Sequence, residues 1–313
     1  MIGQPEQPPI LCRVLTGPTA SGKSELGLRL AREMGWEILC MDSMQVYRRM
    51  DIGTAKPTPE ERRLVPHHML DLLEPAEPYS VAQYREAAEA LVRSLDAQGK
   101  QVLFVGGTAL YLQAMMHPLG MGQVPADPRL REELNRQAET PEGRRALHER
   151  LFQLDPDTAR RLPVNDVRRV IRAIEVCEAT GVPFSRQPPR EENESSFRWR
   201  VVSTRMERQR LYGRINERVT DMIRHGLREE VAALLREGVP ETAQSMQGLG
   251  YKEMVPCLQG ACTLEEAADR IRLGTRHYAK RQMTFLRREA AVQYVDTETA
   301  DAWDTVRRIL TEE

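Results

Sequence analysis

No apolar run in the 313 residues approaches membrane-spanning length, and the first nine residues, MIGQPEQPP, lack the basic start and apolar middle of a signal peptide. A cytoplasmic protein with a short flexible tail at residues 1–9 is therefore expected. Cysteine is sparse: Cys12, Cys40, Cys177, Cys257 and Cys262 are scattered, odd in number and never form a C-x-x-C pair. That excludes a disulfide framework and a zinc site and suits a reducing compartment. An excess of charge of one sign is missing too, since 45 Lys and Arg against 46 Asp and Glu leave a net charge of −1. Any hold on nucleic acid must then come from local basic patches. No internal repeat is visible. What remains is an ordinary soluble composition, 41% hydrophobic and 29% charged, long enough for one large core or a core with a smaller domain.

The stretch ILCRVLTGPTASGKSE, residues 10–25, is the most informative part of the chain. An apolar run is broken by Gly17, and Gly17, Pro18, Thr19, Ala20, Ser21, Gly22, Lys23 and Ser24 satisfy G-x-x-x-x-G-K-[ST] in full. A phosphate chain needs converging donors with no side chains in the way. The two glycines let backbone N–H groups point inward, a helix starting near Gly22 adds its positive end, Lys23 adds a point charge, and Ser24 can hold magnesium. The loop alone does not say which phosphate compound it binds.

Further along, residues 37–41 read as a short strand ending at Asp42, and residues 44–61 as a covering loop. Residues 80–97 read as a helix capped by Ser80, and residues 101–105 as a strand closing on Gly106, Gly107 and Thr108. Alternation of strand and helix predicts an α/β fold, a parallel sheet flanked by helices in which the phosphate loop, Asp42 and Thr108 all sit at strand carboxyl ends. Gly and Pro crowd residues 117–128 and 181–198, with only helical patterns between, among them the apolar face Val167, Val170, Ile171 and Ile174. These patterns predict a core of residues 10–117 and 199–313 carrying an all-helical insertion at 118–198. A strand at 199–203, helices at 207–237 and 264–289, a strand at 292–295 and a last helix complete the reading.

Asp42 has the chemistry of a metal or water holder or of a proton acceptor, with a cap or turn residue the lesser reading; Thr108 can meet a ligand or, equally well on geometry alone, cap the helix at 109–116. Basic residues gather at Arg160, Arg161, Arg168, Arg169 and Arg172, and again between Arg270 and Arg288, where Arg272, Arg276 and Lys280 share a helical face. A solvated face is the commoner meaning of one such helix; two of them on a chain of net charge −1 point to an anionic partner such as nucleic acid. Arg218 reads as a surface arginine, and His67 and His68, without a third ligand at regular spacing, as structural. On residues alone the choice lies between a small-molecule kinase and a rarer phosphate-loop enzyme.

In order and spacing, GPTASGKS at 17–24, DSMQVYRRMDIGTAKP at 42–57, VGGTALYL at 105–112, NDVRRVIRAIEV at 165–176, GLGYKE at 248–253 and YAKRQ at 278–282 resemble the tRNA dimethylallyltransferases. One departure is Val164, where many relatives have His. The chain lacks the C-terminal zinc finger that eukaryotic members often add, so a bacterial type is expected. The resemblance implies transfer of a dimethylallyl group from dimethylallyl diphosphate to N6 of the adenine 3′ of the anticodon, with diphosphate released. It implies Lys23, Asp42, Thr108 and Arg218 as catalytic residues: Asp42 accepts the amine proton, Thr108 contacts the diphosphate, and Lys23 and Arg218 offset its charge. Within the loop at 17–24, backbone amides from Thr19 to Ser24 bind the diphosphate, and Ser24 binds Mg2+, the expected cofactor. The anticodon stem-loop is expected on Asp42, Ser43, Met44, Gln45 and Thr108, on Arg131, Arg168, Arg169, Val170, Ile171 and Arg172, and on Gln247, Gly248, Leu249, Gly250, Tyr251 and Lys252. A monomer is expected. The rivals are a P-loop kinase, an adenylate isopentenyltransferase acting on a free nucleotide, and a non-catalytic RNA-binding protein.

Overall fold

A computed structural model of the protein describes residues 9–117, 127–187 and 197–312. In chain order its elements are β1 (Ile10–Thr16), α1 (Lys23–Met34), β2 (Glu37–Cys40), α2 (Pro59–Leu64), β3 (His67–His68), α3 (Val81–Ala97), β4 (Val102–Val105), α4 (Ala109–Met116), α5 (Pro128–Gln137), α6 (Pro141–Leu154), α7 (Pro156–Arg161), α8 (Val167–Thr180), β5 (Phe197–Arg205), α9 (Arg208–Arg224), α10 (Leu227–Arg236), α11 (Tyr251–Leu258), α12 (Leu264–Leu286), β6 (Val292–Asp296) and α13 (Ala302–Thr311). The chain divides into two compact units, Met1–Met116 with Ser195–Glu313, and His117–Glu194.

The first unit is built on six parallel strands in the order β3-β2-β4-β1-β5-β6. Parallel strands buried on both faces read as continuous apolar runs, as in β2 and β4, where every residue is buried. Alternation along β1 divides the layers: Cys12 and Val14 join the larger core with residues of α3, α4, α10, α11 and α12, while Leu15 packs with Leu30 and Ala31 of α1 and with Val306 and Leu310 of α13. α1 lies close to the sheet because Gly27 faces it; a Cβ there would stand 2.9 Å from a Val105 methyl. The weak helix propensity of an interior glycine is offset by that approach.

The second unit is helical. Leu134, Leu147, Leu151, Val170, Ile171 and Ile174, from α5, α6 and α8, share its core, so the apolar face read from α8 is buried. Asp155 ties its loops together. It caps α7 and accepts from the Thr158 N–H and hydroxyl and from the Ser185 N–H and hydroxyl, at 3.1, 2.6, 2.6 and 2.8 Å.

Several boundaries differ from the sequence reading. The helix expected at 207–237 breaks at His225 and Gly226, where a φ of 100° starts α10 anew. The covering loop ends early, because Thr58 and Glu61 form a reciprocal capping box that starts α2. α11 was not anticipated; its start is rich in glycine and it carries Pro256. The expected flexible tail at residues 1–9 falls almost wholly outside the described residues, as do 118–126 and 188–196 of the two expected connections and Glu313.

Candidate active site

Three strand ends meet at one place. β1 runs into the phosphate loop through Gly17, whose φ of 140° and contact with Thr204 leave no room for a side chain. β2 ends beside β4, with the Met41 N–H bonded to Val105 O at 2.8 Å and the Thr108 N–H to Met41 O at 3.2 Å. Gly106 makes this approach feasible, since a Cβ there would fall 2.1 Å from Met41 O. Tyr84, stacked on Tyr111 at 3.8 Å, donates its hydroxyl to Cys40 O and pins the strand just ahead of Asp42.

Asp42 then turns the chain by accepting the Met44 N–H at 2.9 Å. The Thr108 hydroxyl accepts the Ser43 N–H at 3.0 Å, which ties the loop after β4 to the loop after β2. Lys23, Ser24, Asp42, Arg218 and Tyr278 line one cavity of about 130 Å³, together with Thr19, Gly107 and Gln282. Burial first, then the nearby Arg218, pushes the Lys23 ammonium down to about 8, against the opposing pull of Asp42. Burial also lowers the Arg218 pKa, again opposed by Asp42, and burial followed by the Asp42 charge raises that of Tyr278. Two cations and one carboxylate thus share a partly buried site, a setting that favours an incoming polyphosphate.

The loop 43–57 beside this cavity is held from several sides. Gln45 donates to Thr54 O and Ala55 O at 3.1 and 3.2 Å. The buried Lys56 ammonium donates to Tyr47 O at 2.7 Å and pairs with Asp51 and Asp71 at 2.6 and 2.7 Å. Glu230 accepts the N–H groups of Asp51, Ile52 and Gly53 at 2.8, 2.8 and 3.1 Å and the Tyr251 hydroxyl at 2.6 Å. A groove of about 860 Å³ beside the loop is lined by Arg48, Arg49, Arg62, Arg214 and Arg218, among others.

The site residues read from sequence fall into two groups. Lys23, Ser24, Asp42 and Arg218 come together at the cavity, with Thr108 next to it, and Arg218 is no mere surface residue. Others serve the fold. Of the loop amides expected on diphosphate, Thr19 N–H donates to Gln282 and Ser21 N–H to Pro18 O at 3.3 Å. The fully buried Ser21 hydroxyl bonds Thr204. That leaves the N–H groups of Ala20 and, opening α1, of Gly22, Lys23 and Ser24 as the loop amides placed to meet an anion. Val170, Ile171 and Tyr251 are buried, so their side chains cannot meet RNA. Arg131 chelates the buried Glu175 at 2.8 and 2.5 Å, with Arg172 at 3.5 Å from the same carboxylate. Arg168 and Arg169 are exposed. The basic face of α12 is partly spent inside: Arg272 pairs with Glu265 and Asp269, and Arg276 donates to Asn216 on α9. His68 bonds Glu37 at 2.6 Å and His67 bonds Val65 O at 2.8 Å, both structural. Missed altogether were roles for Glu230, Tyr278 and Gln282. The last two left a signal as the ends of the YAKRQ motif, whose spacing of four puts them on one helical face.

A family model described as IPP transferase matches residues 45–289. A tRNA dimethylallyltransferase of Geobacillus thermodenitrificans is 43% identical over 283 residues, covering 90% of this chain and 89% of its own. One from Desulforudis audaxviator is 45% identical over 291 residues, covering 93% of each. Among solved structures, the full-length tRNA isopentenylpyrophosphate transferase from Bacillus halodurans superposes with a TM-score of 0.69 at 38% identity, over 95% and 94% of the two chains. A eukaryotic dimethylallyltransferase acting on tRNA gives a TM-score of 0.75 at 26% identity, over 95% of this chain and 76% of that one.

Proposed function

This chain belongs to the IPP transferase family, and from that premise we propose that it transfers a dimethylallyl group from dimethylallyl diphosphate to N6 of the adenine 3′ of the anticodon in tRNA. The observation that carries the proposal is the single cavity in which a phosphate loop, a carboxylate and a second cation meet. Diphosphate rests on the N–H groups opening α1 and on Lys23, with Arg218 opposite. As the allylic C–O bond breaks, charge grows on the bridging oxygen, and donors already in place stabilise the transition state more than the ground state. The N6 amine forms the new C–N bond, and Asp42, held by the Met44 N–H through one oxygen, takes the proton that N6 releases. Thr108, fixed on Ser43, steadies both sides of the exchange. Because an adenine amine is a weak nucleophile, positioning contributes more than basicity.

The base reaches such a crevice only by leaving its stack, which loop nucleotides do readily. We assign RNA contact to the exposed Arg48 and Arg49 of the loop after β2, to Gln247 and Lys252, and, in the helical unit, to Arg168 and Arg169. Magnesium suits the diphosphate end. Among the described residues no three His, Cys, Asp or Glu gather to hold a metal, so the ion would be held by the Ser24 hydroxyl and phosphate oxygens, a donor set magnesium accepts. Bound there, it would offset phosphate charge. One chain supplies every group named, which supports a monomer. Five free cysteines support a reducing cytoplasm, and no described helix is long and apolar enough to cross a membrane.

The test is to supply labelled dimethylallyl diphosphate and magnesium with unmodified tRNA or with AMP. Label in tRNA alone is expected. Label in AMP, or ATP consumed with no label transferred, overturns the assignment.

A further inference from the structure

Gln282 is a glutamine 3% exposed, with both ends of its amide engaged. Its Oε1 accepts the Thr19 N–H at 2.9 Å, and its Nε2 donates to Gly107 O at 2.7 Å. Those backbone groups belong to the loops after β1 and β4, neighbouring strands whose ends hold the diphosphate donors on one side and Thr108 on the other. A planar amide fixes the distance between its own oxygen and nitrogen, so it fixes the gap between the two loops. The seam admits nothing else: a Cβ on Gly107 would stand 2.3 Å from Gln282 Nε2 and 3.2 Å from Gly17 O. One turn earlier on α12, Tyr278 lines the same cavity as Gln282. Thr108 is held both through its neighbour Gly107 and through its own side chain, which accepts the Ser43 N–H at 3.0 Å.

We propose that Gln282 is a positioning residue for prenyl transfer, setting the separation between the diphosphate cradle and the Thr108–Asp42 side from which the amine attacks. The inference rests on the transferase reading above. Gln282 reaches the reaction through Thr19 and Gly107. A buried amide used at both ends is costly to replace, since removing it strands a donor and an acceptor. The larger consequence is geometric, because a misplacement of ~1 Å between reacting groups costs roughly 100-fold in rate.

Two substitutions separate positioning from bulk stability. Gln282→Met keeps the length and loses both hydrogen bonds. Gln282→Glu keeps both only when protonated, its carbonyl accepting from Thr19 and its hydroxyl donating to Gly107 O. When ionised, it sets a carboxylate against the Gly107 carbonyl and near the diphosphate. Burial and, in the complex, the diphosphate charge raise the pKa of such a carboxyl, against the pull of Lys23 and Arg218 in the same cavity.

Turnover and KM for tRNA and for dimethylallyl diphosphate are to be measured for wild type, both variants and Ile271→Val, a core control on the same helix, with folding checked by circular dichroism. Gln282→Met is expected to lose about 30- to 100-fold in kcat, with KM for tRNA within about threefold. For Gln282→Glu, kcat relative to wild type is expected to rise about tenfold between about pH 8 and pH 6, as the carboxyl protonates. Ile271→Val should keep the wild-type kcat. A Met variant within about threefold of wild type in kcat, or a Glu-to-wild-type ratio flat in pH, overturns the inference while the transferase reading stands. Wild type that moves no label to tRNA refutes that reading, and the inference with it.

Discussion

Replacing Lys23 by methionine should stabilise the unliganded protein. Burial and Arg218 bring the ammonium from its ordinary 10.5 to about 8. That shift corresponds to ~3 kcal/mol spent on keeping the charge in place at pH 7. Methionine fills similar space without charge but gives up the bond from Nζ to Pro18 O at 3.2 Å. A hydrogen bond of that kind is worth ~1 kcal/mol, which leaves a net gain of ~2 kcal/mol. Thermal unfolding in phosphate-free buffer at pH 7 should therefore rise by about 4–8 °C. The pH dependence has a definite sign. Below the folded pKa of about 8 both folded and unfolded chains hold the proton, so the variant's advantage is complete; between there and 10.5 only the unfolded chain holds it, and the advantage fades. Adding diphosphate should reverse the order, since only wild type gains the ion pair. An unchanged or lower midpoint at pH 7, or a gap that persists above the unfolded pKa, would refute the reasoning.

Asp42→Ala should lower turnover by about 100-fold or more while leaving tRNA affinity within about threefold; an equal collapse of binding would show that Asp42 is no proton acceptor. Neutralising Arg168 and Arg169 together, both exposed, should weaken tRNA binding and lower the slope of log K against log salt by about one for each phosphate no longer neutralised. Unchanged affinity at low salt would remove this helix from the RNA-binding surface. In the helical unit, burial tends to raise the Asp155 pKa, but four hydrogen bonds from Thr158 and Ser185 outweigh it and hold the carboxyl at about 2, against an ordinary 3.8. A depressed carboxylate stabilises above its unfolded pKa and loses that contribution as pH falls through its folded one, here ~2 kcal/mol. Hydrogen exchange of α8 in the intact chain should show this loss between about pH 4 and pH 2, and an Asp155→Asn variant with the same acid profile would contradict it.

Elements whose signal is local were legible in the sequence. The phosphate loop announces itself because its glycines and Lys23 are dictated by neighbours in sequence, and Asp42 and Thr108 because strand ends are places where ligands meet a parallel sheet. Ser80 caps α3 as its spacing to Gln83 demands. Residues whose meaning depends on a distant partner were not legible. Gln282 and Thr19 are 263 positions apart, and Glu230 meets Asp51 from 179 away, so no window of sequence contains both halves of either contact. Arg218 looked like solvent-facing charge because its helix pattern does not reveal that Asp42 and Lys23 lie opposite. Tyr251 belongs to the same class: its motif suggested RNA, and its ring packs where a Cβ on Gly53 would stand 2.6 Å away.

Three consecutive N–H groups, at residues 51–53, converge on the Glu230 carboxylate in the manner by which backbone nests capture phosphate. The protein thus owns two anion cradles and fills one with a side chain of its own. An invading phosphate would have to evict a tethered carboxylate that already accepts all three N–H groups. In the proposed reaction, diphosphate therefore meets one open cradle, the loop at Gly17, and one already filled.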